Sequence, residues 1–137
     1  MSGSGYSGTP LAKKLTLKDG FRCRFVNMPV SVRTEVESYG LALEEPDVPP
    51  WNAVHLFETK RKEFEARLKA ARNDIEQDGQ IWVSWPKKAS KVDTDITEDV
   101  IRDVCLPMGL VDIKVCAVDA IWSGLKLVIR KELRTTT

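Results

Sequence analysis

Short apolar segments with the pattern of buried strands alternate with amphipathic segments of helical spacing along most of this chain. Residues 51–57 are predicted to form a strand, and the segment after it places Phe64, Leu68 and Ala71 on one helical face. Another strand is predicted around Trp82, where apolar and aromatic residues suit a pleated surface. The order strand, helix, strand, helix, strand, helix, strand, strand predicts a mostly parallel sheet with helices on its faces.

Two alternating apolar segments follow at residues 111–117 and 125–130. Ser123-Gly124 lies near the reversal between them, so the two segments are predicted to pair in antiparallel fashion. A terminal hairpin after an alternating strand and helix region is the arrangement of methyltransferase-like Rossmann sheets. By this analogy we expect a three-layer, Rossmann-like α/β fold with a C-terminal antiparallel hairpin, and the analogy by itself does not fix a function.

The length of 137 residues suits one domain with its own core. We expect a flexible N-terminal segment at residues 1–8, a single α/β domain at residues 9–131 and a frayed C-terminal tail at residues 132–137. Residues 44–50 carry three prolines and are predicted to form a loop.

Helix ends are predicted from residues that are typical of caps. Predicted helix starts lie at Thr9, Thr59 and Asp95. Asp78-Gly79 is expected to end the long helix that contains Phe64.

The charge balance excludes some classes of partner. Lys and Arg (21) nearly equal Asp and Glu (20), so the chain has no general attraction to nucleic acid or to acidic membranes. No apolar run approaches the ~20 residues of a membrane span. The N-terminus also lacks the charged and apolar regions of a signal peptide, so we expect a cytoplasmic protein without nucleic-acid or membrane partners.

A metal site is not expected from the cysteine and histidine content. The chain has three cysteines within apolar runs, no Cys-x-x-Cys motif and one histidine, His55. We expect the cysteines to be reduced thiols packed as small hydrophobes. His55 lies inside an apolar strand, which favours a hydrogen-bonded core residue over a catalytic base.

The segment after the first predicted strand argues against a conventional nucleotide-type cofactor. Dinucleotide and S-adenosylmethionine folds normally place glycines there, so that the backbone can approach the ligand. Residues 26–31 contain no glycine. We therefore expect no bound cofactor.

The best candidate binding site is the loop that follows the strand around Trp82. Pro86 ends that strand, and Lys87, Lys88 and Ser90 follow it. Positive charge beyond the carboxyl end of a strand is where open α/β sheets tend to hold anionic ligands. Further candidates for the same site are Thr9, Asp119, Trp122 and Ser123. The alternatives are that the lysines are simply solvated or that nearby carboxylates neutralise them.

Several sequence blocks resemble a bacterial family catalogued as a domain of unknown function, the DUF3052-like proteins. The matching blocks are GYSGTPLAKKL at residues 5–15, WVSWPKKAS at 82–90, TDITEDV at 94–100, VCAVD at 115–119 and WSGL at 122–125. The resemblance implies a small stand-alone cytoplasmic protein, and it brings no established catalytic residues.

These observations lead to one main functional expectation and two alternatives. We expect a non-catalytic α/β domain that binds a small anionic ligand or a protein partner at the lysine loop. The first alternative is a divergent methyltransferase-like transferase. The second is a structural or assembly protein that forms a homodimer, with tryptophans buried between protomers.

Overall fold

A computed structural model of the chain describes residues 8–134 and places a five-stranded sheet at its centre. The predictions for residues 1–7 and 135–137 lie outside the described residues. The strands are β1 (Cys23–Val26), β2 (Trp51–Phe57), β3 (Ile75–Pro86), β4 (Leu110–Ala117) and β5 (Trp122–Ile129). Their order across the sheet is β1-β2-β3-β5-β4.

Four α-helices accompany the sheet, with short 3₁₀ turns between some of the elements. The helices are α1 (Leu11–Lys14), α2 (Val30–Glu37), α3 (Arg61–Asp74) and α4 (Glu98–Cys105). Within residues 8–134, none of these helices has the length and apolar character needed to cross a bilayer. At the C-terminal side, Lys131–Leu133 form a 3₁₀ turn that includes the first two residues of the segment predicted as a tail.

The sheet is mixed rather than mostly parallel. β1 pairs in parallel with β2, and β2 pairs in parallel with β3. β5 is antiparallel to both of its neighbours, β3 and β4. The sequence order correctly indicated an α/β sheet of the Rossmann-like kind, but two of the four strand pairs are antiparallel because β5 inserts between β3 and β4.

Side chains of the central strands point alternately to two apolar layers, as the period of two in a strand requires. Val54 and Leu56 of β2 pack in the layer covered by α3 and α4. Ala53 and Phe57 pack in the other layer, with α1 and α2. Helices on both faces of the sheet therefore give three layers.

Trp82 of β3 ties the short helix α1 to the sheet. Its side chain is 1% exposed, and its indole Nε1 donates a hydrogen bond to the Leu15 carbonyl at 2.9 Å. The same carbonyl accepts a bond from Gln80 Nε2 at 2.8 Å. A four-residue helix has little stability of its own, so these bonds and the buried contacts around them fix its position.

The helix ends differ from the predicted ones because distant residues take part in capping. α3 ends at Asp74, and Ile75 already belongs to β3. Asp95 does not cap α4: its carboxylate accepts a bond from the Arg61 N–H at the start of α3, 34 residues away in sequence. Thr97 is the N-cap of α4. The N-cap positions of α1 and α3 are Pro10 and Lys60, not Thr9 and Thr59.

We expect Thr97→Ala to lower the free energy of unfolding by about 1 kcal/mol. The Thr97 hydroxyl accepts the Val100 N–H at 3.2 Å, and alanine leaves that helix-end donor without this partner. Urea denaturation followed by circular dichroism measures the change. Thr97→Ser keeps the hydroxyl and is the matched control. An equal loss in both variants would show that the hydrogen bond is not the cause.

The segment between α2 and β2 covers part of the free edge of β1. Glu44 forms a parallel bridge with Arg22, its N–H bonds the Phe21 carbonyl, and its carbonyl accepts the Cys23 N–H. Apart from this bridge, residues 41–43 do not form the brief strand that their apolar character suggests. β1 is therefore an edge strand that is protected by the chain's own loop.

Candidate functional site

The parallel strands β1, β2 and β3 end at one edge of the sheet, the carboxyl edge. The segments that leave this edge begin at Asn27, Glu58 and Lys87. The β4–β5 turn lies beside the third of them, because the Lys87 N–H donates to the Ile121 carbonyl at 2.7 Å. The topology thus brings polar residues from distant parts of the sequence together.

The predicted lysine loop folds back on itself. Lys88–Ser90 form a 3₁₀ turn. The Ser90 hydroxyl donates to the Lys87 carbonyl at 2.6 Å and accepts the Val92 N–H at 3.2 Å. The serine therefore already has a structural role in the turn, while Lys88 is exposed and Lys87 is half-buried.

Three of the other predicted site residues lie next to this loop. Asp119 Oδ1 accepts the N–H groups of Ile121 and Trp122, both at 2.8 Å, and so closes the β4–β5 turn. Trp122 is half-buried and packs edge-on against Phe57, with ring centroids 5.1 Å apart. Ser123 pairs with Trp85 across the β3–β5 ladder. These contacts build the turn and the sheet.

Thr9 lies apart from that group. It lines a small cavity of about 120 Å³ between the start of α1, Glu35 of α2 and Val118 in the β4–β5 turn. The structure therefore does not gather all the predicted site residues around one hollow.

A larger cavity lies beside β1, on the face of the sheet that α3 covers, and we call it the β1 trough. Its volume is about 230 Å³. Apolar side chains from β1, β2 and α3 form its floor: Val26, Trp51, Val54, Leu56, Ala70 and Ala71. Charged side chains form its rim: Arg24, Asp47, Arg67 and Asp74. Sequence reasoning missed this site because its residues come from segments that are far apart in the chain.

Glu58 holds one rim residue of the trough in place. Its side chain is 1% exposed and lies directly after β2, where its carboxylate accepts two bonds from Arg67, at 2.7 and 2.9 Å. Arg67 also bonds Glu63 on the first turn of α3, at 3.1 Å. Two carboxylates therefore fix the orientation of this guanidinium and compensate its charge.

Arg24 has a different environment at the same rim. Its guanidinium lies over the Trp51 ring, 5.3 Å from the centroid. Among residues 8–134, no carboxylate forms an ion pair with it. The stacked geometry places a positive charge beside an apolar floor and leaves its N–H donors available.

His55 is a core residue, as its position in an apolar strand indicated. It is 2% exposed, its Nε2 lies 2.7 Å from Ser84 Oγ, and its ring stacks on Phe57 with centroids 4.3 Å apart. Burial lowers the pKa of the imidazole to about 3. The ring is therefore neutral at pH 7 and has no route to an external substrate.

The three cysteines are free thiols buried in the apolar layers. Burial raises the pKa of Cys23 to about 12 and that of Cys105 to about 11. At neutral pH they remain protonated, so they are poor nucleophiles and poor metal ligands. Within residues 8–134, no group of three or more histidine, cysteine or acidic side chains converges as a metal site would require.

The carboxyl edge lacks the usual crevice for a nucleotide-type cofactor. Ligands of open α/β sheets bind where the strand order reverses, between two neighbouring parallel strands. Here β1, β2 and β3 succeed each other in one direction, with β1 at the edge, so the described strands include no such reversal. The segment after β1 is Asn27-Met28-Pro29, and Asn27 adopts a positive φ of 59°. These residues do not fit a glycine cradle for S-adenosylmethionine.

Comparison with known proteins identifies the fold. A scan against family models and a search of curated proteins found no match. Among solved structures, the chain is similar to magnesium protoporphyrin IX methyltransferase from Synechocystis PCC 6803, at 10% identity and a TM-score of 0.54. That alignment covers 86% of this chain and 74% of the enzyme.

Two further solved structures give the same result. Ribosomal protein L11 methylase from Lactobacillus delbrueckii subsp. bulgaricus aligns at 12% identity over 87% of this chain and 77% of its own, with a TM-score of 0.52. Fibrillarin from Aeropyrum pernix aligns at 12% identity over 90% and 70%, with a TM-score of 0.51. At such identities the likeness shows the fold alone, which is a methyltransferase-like, Rossmann-like α/β fold.

This likeness overturns the main functional expectation. The expectation of a non-catalytic domain that binds an anion or a partner at the lysine loop is corrected, because the solved structures of similar fold are a methyltransferase, a methylase and a fibrillarin with natively bound S-adenosylmethionine. The first alternative, a divergent methyltransferase-like transferase, agrees better with this fold. The resemblance to the DUF3052-like family, the cytoplasmic location and the homodimer stay predictions.

Proposed function

We propose that this chain is a divergent methyltransferase-like transferase. The observation that carries the proposal is the similarity of its fold to enzymes that use S-adenosylmethionine. The Synechocystis methyltransferase is described with this compound bound, and the Aeropyrum fibrillarin with it natively bound. The alignments span most of this chain, so the shared part includes the sheet and the helices on its faces.

The position of the β1 trough supports the same proposal. It runs along the strands, from Trp51 at the amino end of β2 to Val26 and Leu56 at the carboxyl edge. Ligand sites of α/β folds lie at this edge. The apolar floor excludes water, and the Glu58–Arg67 pair gives the same end of the trough a fixed polar wall.

The proposal assigns no residue to the donor. S-adenosylmethionine would supply the methyl group when bound, but the glycine-free segment after β1 and the described strands, which include no reversal of strand order, do not form its usual cradle. In this proposal, the chain's own residues orient and enclose the substrate. Arg67 is held rigidly by two carboxylates, and Trp51 and Leu56 keep the floor dry.

Isothermal titration calorimetry with S-adenosylmethionine and S-adenosylhomocysteine tests the proposal. We expect saturable binding of both compounds. ATP is the matched control for general affinity toward adenosine compounds, and we expect no saturation with it. If neither S-adenosyl compound binds at millimolar concentration, the transferase proposal is wrong.

A further inference from the structure

We infer that the β1 trough binds a small α-amino acid with an apolar side chain, or a derivative that keeps its free ammonium and carboxylate groups. The inference rests on the proposed function, because it names the substrate class of the proposed transferase. Size, apolar lining and the distribution of charge at the trough carry it.

The volume of the trough favours small ligands. Pockets for drug-sized molecules and cofactors usually measure ~300–1,000 Å³. At about 230 Å³ the trough lies below that range. That volume suits a ligand of the size of a single amino acid better than a nucleotide or a complete S-adenosyl compound.

The floor selects an apolar group. Val54 and Leu56 of β2 form its centre and are each 1% exposed, so they present a firm surface held by the core. Ala70 and Ala71 on α3 are small, which leaves space between the helix and the sheet. An aliphatic or aromatic ligand side chain placed there is removed from water, which favours binding.

Three of the four charged side chains at the rim form no ion pair among residues 8–134, and they include both signs. Within residues 8–134, Asp47 and Asp74 form no side-chain ion pair, and neither does Arg24. The guanidinium of Arg24 is suited to a carboxylate, and the two aspartates to an ammonium group. An α-amino acid carries both groups on one carbon, so it offers a carboxylate to Arg24 and an ammonium group to an aspartate of the same rim.

The count of available charges makes the ammonium group the stronger determinant. Arg67 adds no free positive charge, because Glu58 and Glu63 already pair with it. Two unpaired aspartates therefore face one unpaired guanidinium. An amine without a carboxylate should bind more tightly than a carboxylate without an amine.

Three related probes test this order: L-phenylalanine, phenethylamine and 3-phenylpropionate. The reporter is the indole N–H resonance of Trp51, which lines the trough and bonds the Pro46 carbonyl at 3.2 Å. We expect saturable shifts with L-phenylalanine, binding at least about tenfold weaker for the amine, and weaker binding still for the acid.

Substitutions at the rim test separately how the ammonium group and the carboxylate of the ligand contribute to binding. Asp74→Asn should weaken L-phenylalanine binding about tenfold or more, and Arg24→Gln should weaken L-phenylalanine but not phenethylamine. Matched controls are Asp93→Asn and Lys88→Gln, which change the same charges at exposed positions of the lysine loop and should leave binding unchanged.

Absence of saturable shifts with all three probes would overturn the inference, as would equal binding of the acid and the amino acid. The S-adenosyl titrations separate this result from the proposed function. Donor binding with no binding in the trough removes only the substrate class. Amino-acid binding without any S-adenosyl binding keeps the trough site and removes the transferase.

Discussion

Replacing Trp82 by alanine is expected to lower the free energy of unfolding by about 3–5 kcal/mol, the range for truncation of a large buried aromatic residue. Trp82 is almost fully buried in the layer beneath α1 and α2. Alanine leaves a cavity there and also removes the indole donor from the Leu15 carbonyl. From β3, the carbonyl at the C-terminal end of helix α1 then keeps only the Gln80 side-chain hydrogen bond.

Trp82→Phe separates packing from hydrogen bonding. Phenylalanine retains most of the buried ring and loses the Nε1 donor, so we expect a loss of about 1–2 kcal/mol. Urea denaturation followed by far-ultraviolet circular dichroism measures both variants without depending on tryptophan fluorescence. An alanine variant no less stable than the phenylalanine variant would contradict the packing argument.

The stability of the protein should fall between pH 6.5 and pH 4.5 because of His55. An unfolded histidine has its ordinary pKa of about 6.5, whereas burial lowers the pKa of folded His55 to about 3. Below pH 6.5 the unfolded chain gains a proton that the folded chain excludes. The contribution is fully present above the unfolded pKa and falls by up to about 1.4 kcal/mol per pH unit as the pH drops.

His55→Gln is the matched control for this dependence. Glutamine does not titrate and can still hydrogen-bond the Ser84 hydroxyl, which lies 2.7 Å from the imidazole. Paired carboxylates such as Glu45, whose pKa the hydrogen bond from Arg33 lowers, contribute their own acid dependence at lower pH. We expect the wild-type protein to show the steeper slope between pH 4.5 and pH 6.5. Identical slopes would mean that folded His55 accepts a proton in that range.

The periodicity of apolar residues predicted strands and helices well where a single segment contains the whole pattern. The strand at residues 51–57 was predicted with the bounds that the structure gives. His55 was correctly expected in the core. Apolar residues at a period of two, or at helical spacing, report burial directly, and burial depends mainly on the segment itself.

Features that depend on distant contacts were not predictable in the same way. Asp95 has the spacing of a local cap, yet it serves the start of α3, because the folded chain brings Arg61 to it. Helix α3 likewise ends at Asp74 because Ile75 pairs with Trp51 in the β2–β3 ladder. No local sequence pattern distinguishes the observed helix ends and caps from those that the sequence predicted.

The candidate site illustrates the same limit. Residues 87–90 were predicted as the binding site because their charges are contiguous in sequence. The β1 trough instead combines Arg24, Asp47 and Asp74 from three separate segments. A cavity is a property of the space between elements, and its position follows from strand order. Strand order was the part of the fold that the sequence left least defined.

The central strand β3 has a consequence for how the molecule opens. It pairs in parallel with β2 on one side and antiparallel with β5 on the other. It therefore joins a parallel half of the sheet to an antiparallel half. Fraying of β1 leaves four strands intact, while loss of β3 would separate the halves. Thermal fluctuations that open β1 and the trough beside it can thus be local, while the C-terminal half of the sheet stays closed.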